Sequence, residues 1–351
     1  MYLIGDAGIA ESSPLEPSLA LLESKLEEAD AEKSSVIFLG DNIYPSGLRE
    51  IGHPKRPQDE KRIKAQMDIL ENYQGRVVFI AGNHDWFEGK TEGDEYIDRQ
   101  ARYVEEYLGR GDTFLPSGGC PGPVEIDLTD ELVWIIFDSQ WWLHAAEPEN
   151  TMPPGCEINS DEALLDSVDA MLNRNRDKQV IISTHHPLYS NGRHGGYFSL
   201  KDHIFPLTAI HPYLYLPLPL IGSVYPLYRK TIGNIQDITH ARYTDLKDGL
   251  TPIFNQYENL IYAAGHEHNL QYQKHNKTHY IVSGSGSKQG YLRDNENLIY
   301  GRATKGFAVL KSYASGDVWL EFYAPIAENP EEPMYRQKII DRSIKSSHEF
   351  L

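Results

Sequence analysis

The stretch "VIFLGDNIY", residues 36–44, decides the fold class because an apolar run in it ends at a glycine followed by an acid. A short run rich in β-branched and aromatic residues and closed by glycine is typical of a buried strand. Asp41 then lies at the carboxyl end of that strand. Ligand sites of α/β proteins lie just beyond the carboxyl ends of the strands, so Asp41 is a candidate site residue.

Five other short apolar runs have the same character and predict further buried strands. They span residues 2–4, 77–81, 133–137, 180–182 and 260–264. Between several of them, apolar residues recur at helical spacing, as at Leu19, Leu22 and Leu26. This alternation of strands and helices predicts an α/β fold in which helices cover the sheet.

Most of these runs are followed by residues that can bind a metal ion. The blocks at the strand ends are GDAG (5–8), GDNIY (40–44), GNHD (82–85), STHHP (183–187) and GHEH (265–268). Their candidate ligands are Asp6, Asp41, Asn83, His185, His266 and His268. Three hard oxygen donors and three imidazoles suit two adjacent transition-metal ions better than one structural zinc. Asp138, after the fourth run, is interpreted as a strand-end aspartate outside the ligand set.

The acidic composition limits the partners of the protein. With 51 acidic and 33 basic residues, the formal net charge is -18, which argues against nucleic acid bound through bulk charge. Cys120 and Cys156 are too few for a disulfide scaffold or a thiolate zinc site, although one disulfide is possible. No signal peptide is visible. Because the first strand begins abruptly, we expect the natural polypeptide to start upstream of Met1. For the location of the protein, an extracytoplasmic compartment (periplasmic, surface or secreted) is favoured.

Residues 204–228 form a strongly apolar stretch that is about long enough to cross a bilayer. Its five prolines argue against a transmembrane helix. We interpret the stretch as an inserted loop or lid, with an interfacial membrane contact as the alternative.

The end of the chain has a different pattern. Two runs of alternating polarity after residue 301, joined by ASG, predict a hairpin. Residues 326–351 are charged and lack a clear apolar stripe, so they are predicted to form a C-terminal tail or a linker. The segment GSGSKQG, residues 284–290, is interpreted as a tight glycine turn.

The strand-end blocks together resemble those of the calcineurin-like metallophosphoesterases, in particular the purple acid phosphatase branch of the tartrate-resistant type. Two details select that branch: Gly8 stands where most metallophosphoesterases carry a histidine, and Tyr44 follows Asp41 by three residues. The resemblance covers residues 1–325, apart from an insertion at about 200–250. It implies a four-layer α/β/β/α sandwich of two mixed β-sheets with flanking helices and a dimetal site at the strand carboxyl ends.

The resemblance also assigns ligands to two metal ions. Asp6, Asp41, Tyr44 and His268 would hold Fe(III), and Asp41, Asn83, His185 and His266 would hold a divalent ion: iron, zinc or manganese. Asp41 would therefore bridge the two ions. His185 is preferred to His186 because residues 182–185 match the V-x-x-H block of the family, with Ile for Val, and His186 is expected to pack or bond nearby. His84 and His194 match two histidines that assist the phosphate and the leaving group, so they are the predicted catalytic residues.

These assignments predict a phosphoester hydrolase. Two adjacent cations lower the pKa of a bound water, so that hydroxide forms at mildly acidic pH, and they hold the phosphate oxygens. We expect an acid-phosphatase-like phosphomonoesterase that acts on a small phosphorylated substrate. The alternatives are a phosphodiesterase or nucleotide pyrophosphatase on the same site, or the catalytic module of a membrane-associated protein.

Overall fold

Two mixed β-sheets lie face to face between outer helices in the computed structural model, which describes residues 1–144, 155–209, 211, 213–218, 221–258 and 260–342. The predicted α/β fold and the four-layer α/β/β/α arrangement are therefore confirmed. Each of the six apolar runs forms a strand close to its predicted bounds.

The thirteen strands of the described residues are, in chain order, β1 (Tyr2–Ile4), β2 (Ser35–Phe38), β3 (Arg76–Phe79), β4 (Val124–Thr129), β5 (Leu132–Ile136), β6 (Gln179–Ser183), β7 (Ile261–Ala264), β8 (Leu270–His275), β9 (Thr278–Ser283), β10 (Leu298–Arg302), β11 (Phe307–Ser312), β12 (Val318–Tyr323) and β13 (Tyr335–Ile340). The α-helices are α1 (Pro17–Glu27), α2 (Arg56–Asp68), α3 (Gly93–Leu108), α4 (Ser139–Trp142), α5 (Asp161–Arg174), α6 (Leu200–Ile204), α7 (Val224–Thr231) and α8 (Ala241–Phe254).

The sheets place the ends of their central parallel strands at one edge of the sandwich. The first sheet has the order β13-β12-β11-β1-β2-β3, and the second has the order β10-β8-β9-β7-β6-β5-β4. Strands β1, β2 and β3 run parallel, as do β5, β6, β7 and β9. The metal-ligand candidates predicted from sequence follow β1, β2, β3, β6 and β7, all of which belong to these parallel sets.

Side chains that alternate along the strands build three apolar layers. In β2, Ile37 packs between the sheets, whereas Val36 and Phe38 pack under the outer helices of the first sheet. The third layer lies on the other side of the second sheet, where Val133 of β5 packs with Leu164 of α5. Because adjacent residues of a strand face opposite sides, strands buried on both faces read as continuous apolar runs.

Local signals fix several helix ends. Pro17 opens α1, where its missing N–H has no helical partner to lose. The Ser160 side chain caps α5 by accepting a hydrogen bond from the Ala163 N–H at 3.1 Å. At the end of α3, Gly109 adopts a φ of 63°. These local features set where the outer helices begin and end.

The C-terminal segment contributes a strand, so the prediction that it is a tail or linker is wrong for residues 335–340. Strand β13 pairs antiparallel with β12 and buries Ile339 and Ile340. Its charged side chains pair with acids on or beside β12: Arg336 Nε lies 3.0 Å from Glu321 Oε1, and Lys338 Nζ lies 3.0 Å from Asp317 Oδ2. These charges concealed the strand, because they are typical of a solvated tail unless a partner strand supplies opposite charges. Residues 343–351 lie outside the described part of the chain.

The insertion predicted at about 200–250 contains α6, α7 and α8. Helix α8 packs Leu246 and Leu250 into the third apolar layer, so this part is integral to the fold. Among the described residues, no helix is both long enough and apolar enough to span a membrane. The predicted hairpin is the pair β11 and β12. Cys120 and Cys156 form the disulfide that the sequence allowed.

Candidate metal centre

The seven predicted metal ligands converge where the parallel strands end. Three of them, Asp6, Asp41 and His266, have positive φ angles of 58°, 55° and 68°. Such values are uncommon for residues with a Cβ and are found at functional sites where the surrounding structure enforces them. Each of the three directly follows a glycine just beyond the end of a strand.

Asp6, Tyr44 and His268 form one group, called here the first cluster. The Tyr44 hydroxyl donates a hydrogen bond to Asp6 Oδ1 at 2.8 Å and lies 3.2 Å from His268 Nε2. His268 Nε2 is 3.4 Å from the same Asp6 oxygen. The three side chains that the resemblance assigned to Fe(III) alongside Asp41 therefore lie together.

Asn83, His185 and His266 form a second cluster. His185 Nε2 and His266 Nδ1 each lie 3.2 Å from Asn83 Oδ1 and 3.3 Å from one another. These are the side chains assigned to the divalent ion alongside Asp41. The two histidines of GHEH thus belong to different clusters.

Asp41 lies between the two clusters. Its Oδ1 is 3.5 Å from His185 Nε2, and ligand atoms of Asp6, Asp41 and His185 all lie within 4.8 Å of one another. Oδ1 also accepts a hydrogen bond from the His84 N–H at 2.9 Å. This position is the one that a carboxylate bridging two cations would need.

The glycines that precede the ligands keep room for their side chains. A Cβ on Gly82 would collide with Asp41 Oδ1, and a Cβ on Gly40 would collide with His185 Nδ1. Gly40 and Gly82 are therefore required because the ligand groups lie so close to them, and not only because of the turn.

Backbone carbonyls select the tautomers of the second cluster. His185 Nδ1 lies 2.7 Å from the Leu39 carbonyl oxygen, and His266 Nε2 lies 2.9 Å from the Gln236 carbonyl oxygen. A carbonyl oxygen only accepts, so each of these nitrogens carries the proton. The opposite nitrogens, His185 Nε2 and His266 Nδ1, keep their lone pairs and face Asn83. This is the arrangement in which outer contacts orient imidazoles for a metal ion.

Burial keeps the imidazoles of His266 and His268 neutral and makes the Asp6 carboxyl costly to ionise without a cation. Burial lowers the pKa of His268 to about 3, with Lys288 adding to the effect, and holds the pKa of His266 well below its usual value. Burial, together with the Asp41 carboxylate, raises the pKa of Asp6 to about 7. Neutral imidazoles and neighbouring buried carboxylates are the donors that cations bind. The residues present therefore fit two metal ions.

The two predicted catalytic histidines flank the clusters, and both are partly exposed. His84 donates from Nδ1 to the Pro45 carbonyl at 2.7 Å, and its Nε2 lies 3.9 Å from Asp41 Oδ2. The His194 ring packs against the His266 ring, with centroids 4.1 Å apart and the planes tilted by 40°. Both imidazoles can therefore reach a substrate at the clusters.

Two residues that sequence reasoning left outside the ligand set have other partners. His186 lies within ligand distance of His185 and His266, yet its Nδ1 is 2.9 Å from Ser139 Oγ and its Nε2 is 2.7 Å from Gln236 Oε1. Asp138 accepts a hydrogen bond from Trp86 Nε1 at 2.6 Å and caps α4. Both residues therefore have hydrogen-bond partners of their own, and their place outside the ligand set stays a prediction.

The structure adds supporting residues from the insertion that the sequence did not reveal. Gln236 contacts His266 and His186. Asp237 is fully buried and lies 3.0 Å from His194 Nδ1, and Arg229 Nε donates to Asp237 Oδ2 at 2.7 Å. No local sequence signal marks these contacts, because they join segments distant along the chain.

Two further residues were missed inside known blocks. Asp85, the last residue of GNHD, accepts backbone hydrogen bonds from Asn42 and Gly82 and so ties the two ligand loops together. Lys288, in the segment interpreted as a glycine turn, lies with Nζ 3.5 Å from the centre of the Tyr44 ring. Asp85 could have been found because it belongs to the GNHD block, whereas nothing in the sequence around Lys288 points to the site.

Facing mixed sheets with buried carboxylates and imidazoles at their strand ends are the arrangement of the metallophosphoesterase fold. The chain belongs to the calcineurin-like phosphoesterase family, whose model matches residues 2–284. Membership implies a dimetal centre, and the clusters described above are its candidate ligands. No curated protein is similar enough in sequence to count as a relative.

Solved structures with the same fold come from functionally different proteins. GAP50 of Plasmodium, described as the anchor in the inner membrane complex, matches with a TM-score of 0.51 and 14% identity over 96% of this chain and 87% of its own. The purple acid phosphatase PPD1 from seeds of yellow lupin (Lupinus luteus) matches with a TM-score of 0.56 and 13% identity over 94% of this chain. This chain spans about half of the lupin enzyme, 52%.

PhoD matches with a TM-score of 0.57 and 9% identity over 96% of this chain and 67% of its own. At such identities, the likeness establishes the fold alone.

Removing bound metal ions with a chelator is expected to lower the midpoint of thermal unfolding by about 5 °C or more, because Asp6 and Asp41 would then lie buried together without a cation. Melting curves with and without chelator measure the shift. Asp41→Ala is the control, since a protein that holds no metal has nothing to lose. Equal shifts in both proteins would show that the chelator acts elsewhere.

Proposed function

We propose that the protein is an acid-phosphatase-like phosphomonoesterase of the purple acid phosphatase type, with Fe(III) at Asp6, Asp41, Tyr44 and His268 and a divalent ion at Asp41, Asn83, His185 and His266. The observation that carries the proposal is the position of Tyr44, whose hydroxyl reaches both Asp6 and His268. Phenolate is a hard anionic donor and suits a ferric ion.

Gly8 supports the same branch. The Tyr44 N–H donates to the Gly8 carbonyl at 3.0 Å, and a Cβ on Gly8 would collide with the backbone of Asn42 and Ile43. A side chain at position 8 is therefore incompatible with the path of the loop that delivers Tyr44. Gly8 and Tyr44 therefore belong to one arrangement: the missing side chain at position 8 lets the loop bring the Tyr44 phenol next to Asp6.

The bound ions would supply an activated water and positive charge for the phosphate oxygens. Side chains of the protein would donate the proton and bind the phosphate. Because His84 Nδ1 donates to Pro45, its Nε2 faces the clusters, and in the imidazolium form this nitrogen carries the proton that can pass to the leaving oxygen. The His194 ring lies 4.1 Å from the His266 ring and can hold a phosphate oxygen. Lys288 adds a local cation to a chain whose formal net charge is -18.

The disulfide between Cys120 and Cys156 supports an extracytoplasmic location as part of the proposal, because disulfides persist in oxidising compartments. Iron, zinc and manganese all suit the second cluster, and availability decides between them. The proposed substrate is a small phosphorylated molecule or the exposed phosphate of a larger one.

The test of the proposal compares an aryl phosphomonoester with the corresponding diester at mildly acidic pH, using protein loaded with iron and zinc. We expect the monoester to be turned over at least about tenfold faster, expressed as kcat/KM. Faster turnover of the diester would replace the proposal with a phosphodiesterase or nucleotide pyrophosphatase on the same site.

Asp237→Asn is expected to lower kcat for the monoester roughly tenfold while both metals stay bound, because the carboxylate orients His194 through its Nδ1. Asp202→Asn, which removes another acid of the insertion, is the control and should leave kcat unchanged. The double variant with His194→Ala should be no slower than His194→Ala alone. An additional loss in the double variant would show that Asp237 does not act through His194.

A further inference from the structure

The insertion exposes an unusual amount of apolar side chain. Of the seventeen large hydrophobic residues exposed in the described part of the chain, eleven lie between residues 200 and 232. We call these eleven side chains the apolar surface. Scattered exposed hydrophobic residues are ordinary, but a concentration of this kind on a protein surface marks an interaction site.

Helix α7 is built with its polarity reversed. Its apolar residues Val224, Leu227 and Tyr228 are 64%, 59% and 44% exposed, whereas Arg229 is only 8% exposed. A surface helix normally turns its apolar stripe toward the core and its charges toward water. Asp237 binds the buried Arg229 and so fixes the orientation of the helix. The apolar residues on the opposite face of α7 are thereby exposed to water unless a partner covers them.

The charge around the apolar surface indicates what covers it. The chain has 51 acidic residues, yet residues 203–236 contain none. Lys201 and Lys230 lie within or beside the same region. A neutral to basic surface on a protein of net charge -18 is complementary to anionic lipid headgroups.

Tyrosine supplies four of the eleven side chains: Tyr213, Tyr215, Tyr225 and Tyr228. Tyrosine is enriched at membrane–water interfaces, where its ring lies in the apolar boundary and its hydroxyl stays hydrated. Lys201 Nζ lies 3.0 Å from the Tyr215 hydroxyl, so a basic group and a phenol lie side by side. This composition favours a bilayer surface over the apolar groove of a protein.

The apolar surface is connected to the metal centre by direct contacts. The Arg229 guanidinium lies over the rings of Tyr225 and Phe198, 5.9 Å and 5.6 Å from their centres. Its Nη2 is 3.1 Å from His194 Nδ1, and the His194 ring packs against the His266 ring. An exposed tyrosine of the surface is therefore separated from a predicted metal ligand by only two side chains.

We propose that the apolar surface docks on the interfacial region of an anionic lipid bilayer and that the site hydrolyses phosphoesters presented by membrane lipids. The docking follows from the surface itself. The substrate class rests on the proposed function.

Vesicle flotation tests the docking without any turnover. Wild-type protein should float with vesicles of phosphatidylcholine mixed with phosphatidylglycerol and bind less well to phosphatidylcholine alone. The triple variant Ile221→Gln, Val224→Gln and Leu227→Gln should bind the mixed vesicles at least about tenfold more weakly. The control, Ile51→Gln with Ile326→Gln, changes hydrophobic residues elsewhere that are even more exposed and should float like the wild type.

Failure of the wild type to float, or equal flotation of the triple variant, would overturn the docking proposal. A concentration-dependent dimer that the triple variant loses, without vesicle binding, would assign the surface to a second copy of the chain and overturn it as well. Melting curves of all three proteins confirm that the substitutions leave the fold intact.

Turnover separates the substrate class from the docking. With phosphatidate in phosphatidylcholine–phosphatidylglycerol vesicles, the triple variant should lose activity about tenfold or more while it turns over a soluble aryl phosphate at the wild-type rate. Wild-type turnover of the soluble ester with none of phosphatidate would overturn the substrate class. If the soluble ester is not turned over either, the proposed function fails while the flotation result stands.

Discussion

Asp41→Ala is expected to abolish turnover, by at least about 10³-fold, and to reduce the metal content from two ions per chain to less than one. Asp41 is the carboxylate between the two clusters, 3.5 Å from His185 and close to Asp6. Without it, each ion loses a ligand, and two cations a few ångströms apart repel each other without an anion between them. Elemental analysis and turnover of an aryl phosphate measure the two effects.

Asp138→Asn provides the matched control for that variant. Asp138 is also a buried aspartate at a strand end, but its partners are Trp86 and the N-terminus of α4. We expect this variant to keep both metals and its activity. An Asp41→Ala protein that retains two ions per chain would show that the carboxylate is not shared.

His84→Ala is expected to lower kcat by roughly two to four orders of magnitude while both metals remain bound. The imidazole is oriented by Pro45 and is partly exposed, as a group that exchanges protons with a substrate must be. Added imidazole should restore part of the activity because the side chain lies at the surface of the site. His53→Ala, at a histidine outside the clusters, should leave kcat unchanged. Loss of metal in the His84 variant would identify His84 as a ligand and contradict its assignment.

The sequence predicted the frame of the site because the frame depends on local rules. Each ligand block follows a short apolar run, and the ends of parallel strands meet at one edge of a sheet. Asp6, Asp41, Asn83 and His266 were found by that rule, whereas the choice of His185 over His186 came from the resemblance. The structure brings these five side chains together. Their coordination of metal stays a prediction.

Tyr44 depended on resemblance, since a tyrosine three residues beyond a strand-end aspartate is ordinarily a core residue. The structure puts its hydroxyl on Asp6. Spacing alone could not show this, because the approach depends on the absence of a side chain at Gly8, which is distant in sequence.

The contacts that residues of the insertion make with the site histidines could not be predicted, because tertiary packing determines them. In sequence, Arg229 is one of two adjacent basic residues of a short helix and would be placed in solvent. In the structure it is buried against Asp237, since that carboxylate and His194 occupy the space beneath α7. Strand β13 escaped detection for a related reason: its basic side chains find acidic partners on a neighbouring strand that the local sequence does not contain.

The visible absorption spectrum of iron-loaded protein tests the central claim most directly. A phenolate bound to Fe(III) transfers charge to the metal and absorbs visible light, so the oxidised protein should be purple to pink. Tyr44→Phe should bleach this colour while elemental analysis still finds two ions per chain and the melting curve shows a folded domain. Iron-loaded wild-type protein that is colourless under oxidising conditions, with both sites occupied, would contradict the assignment of Tyr44 and the purple acid phosphatase type with it.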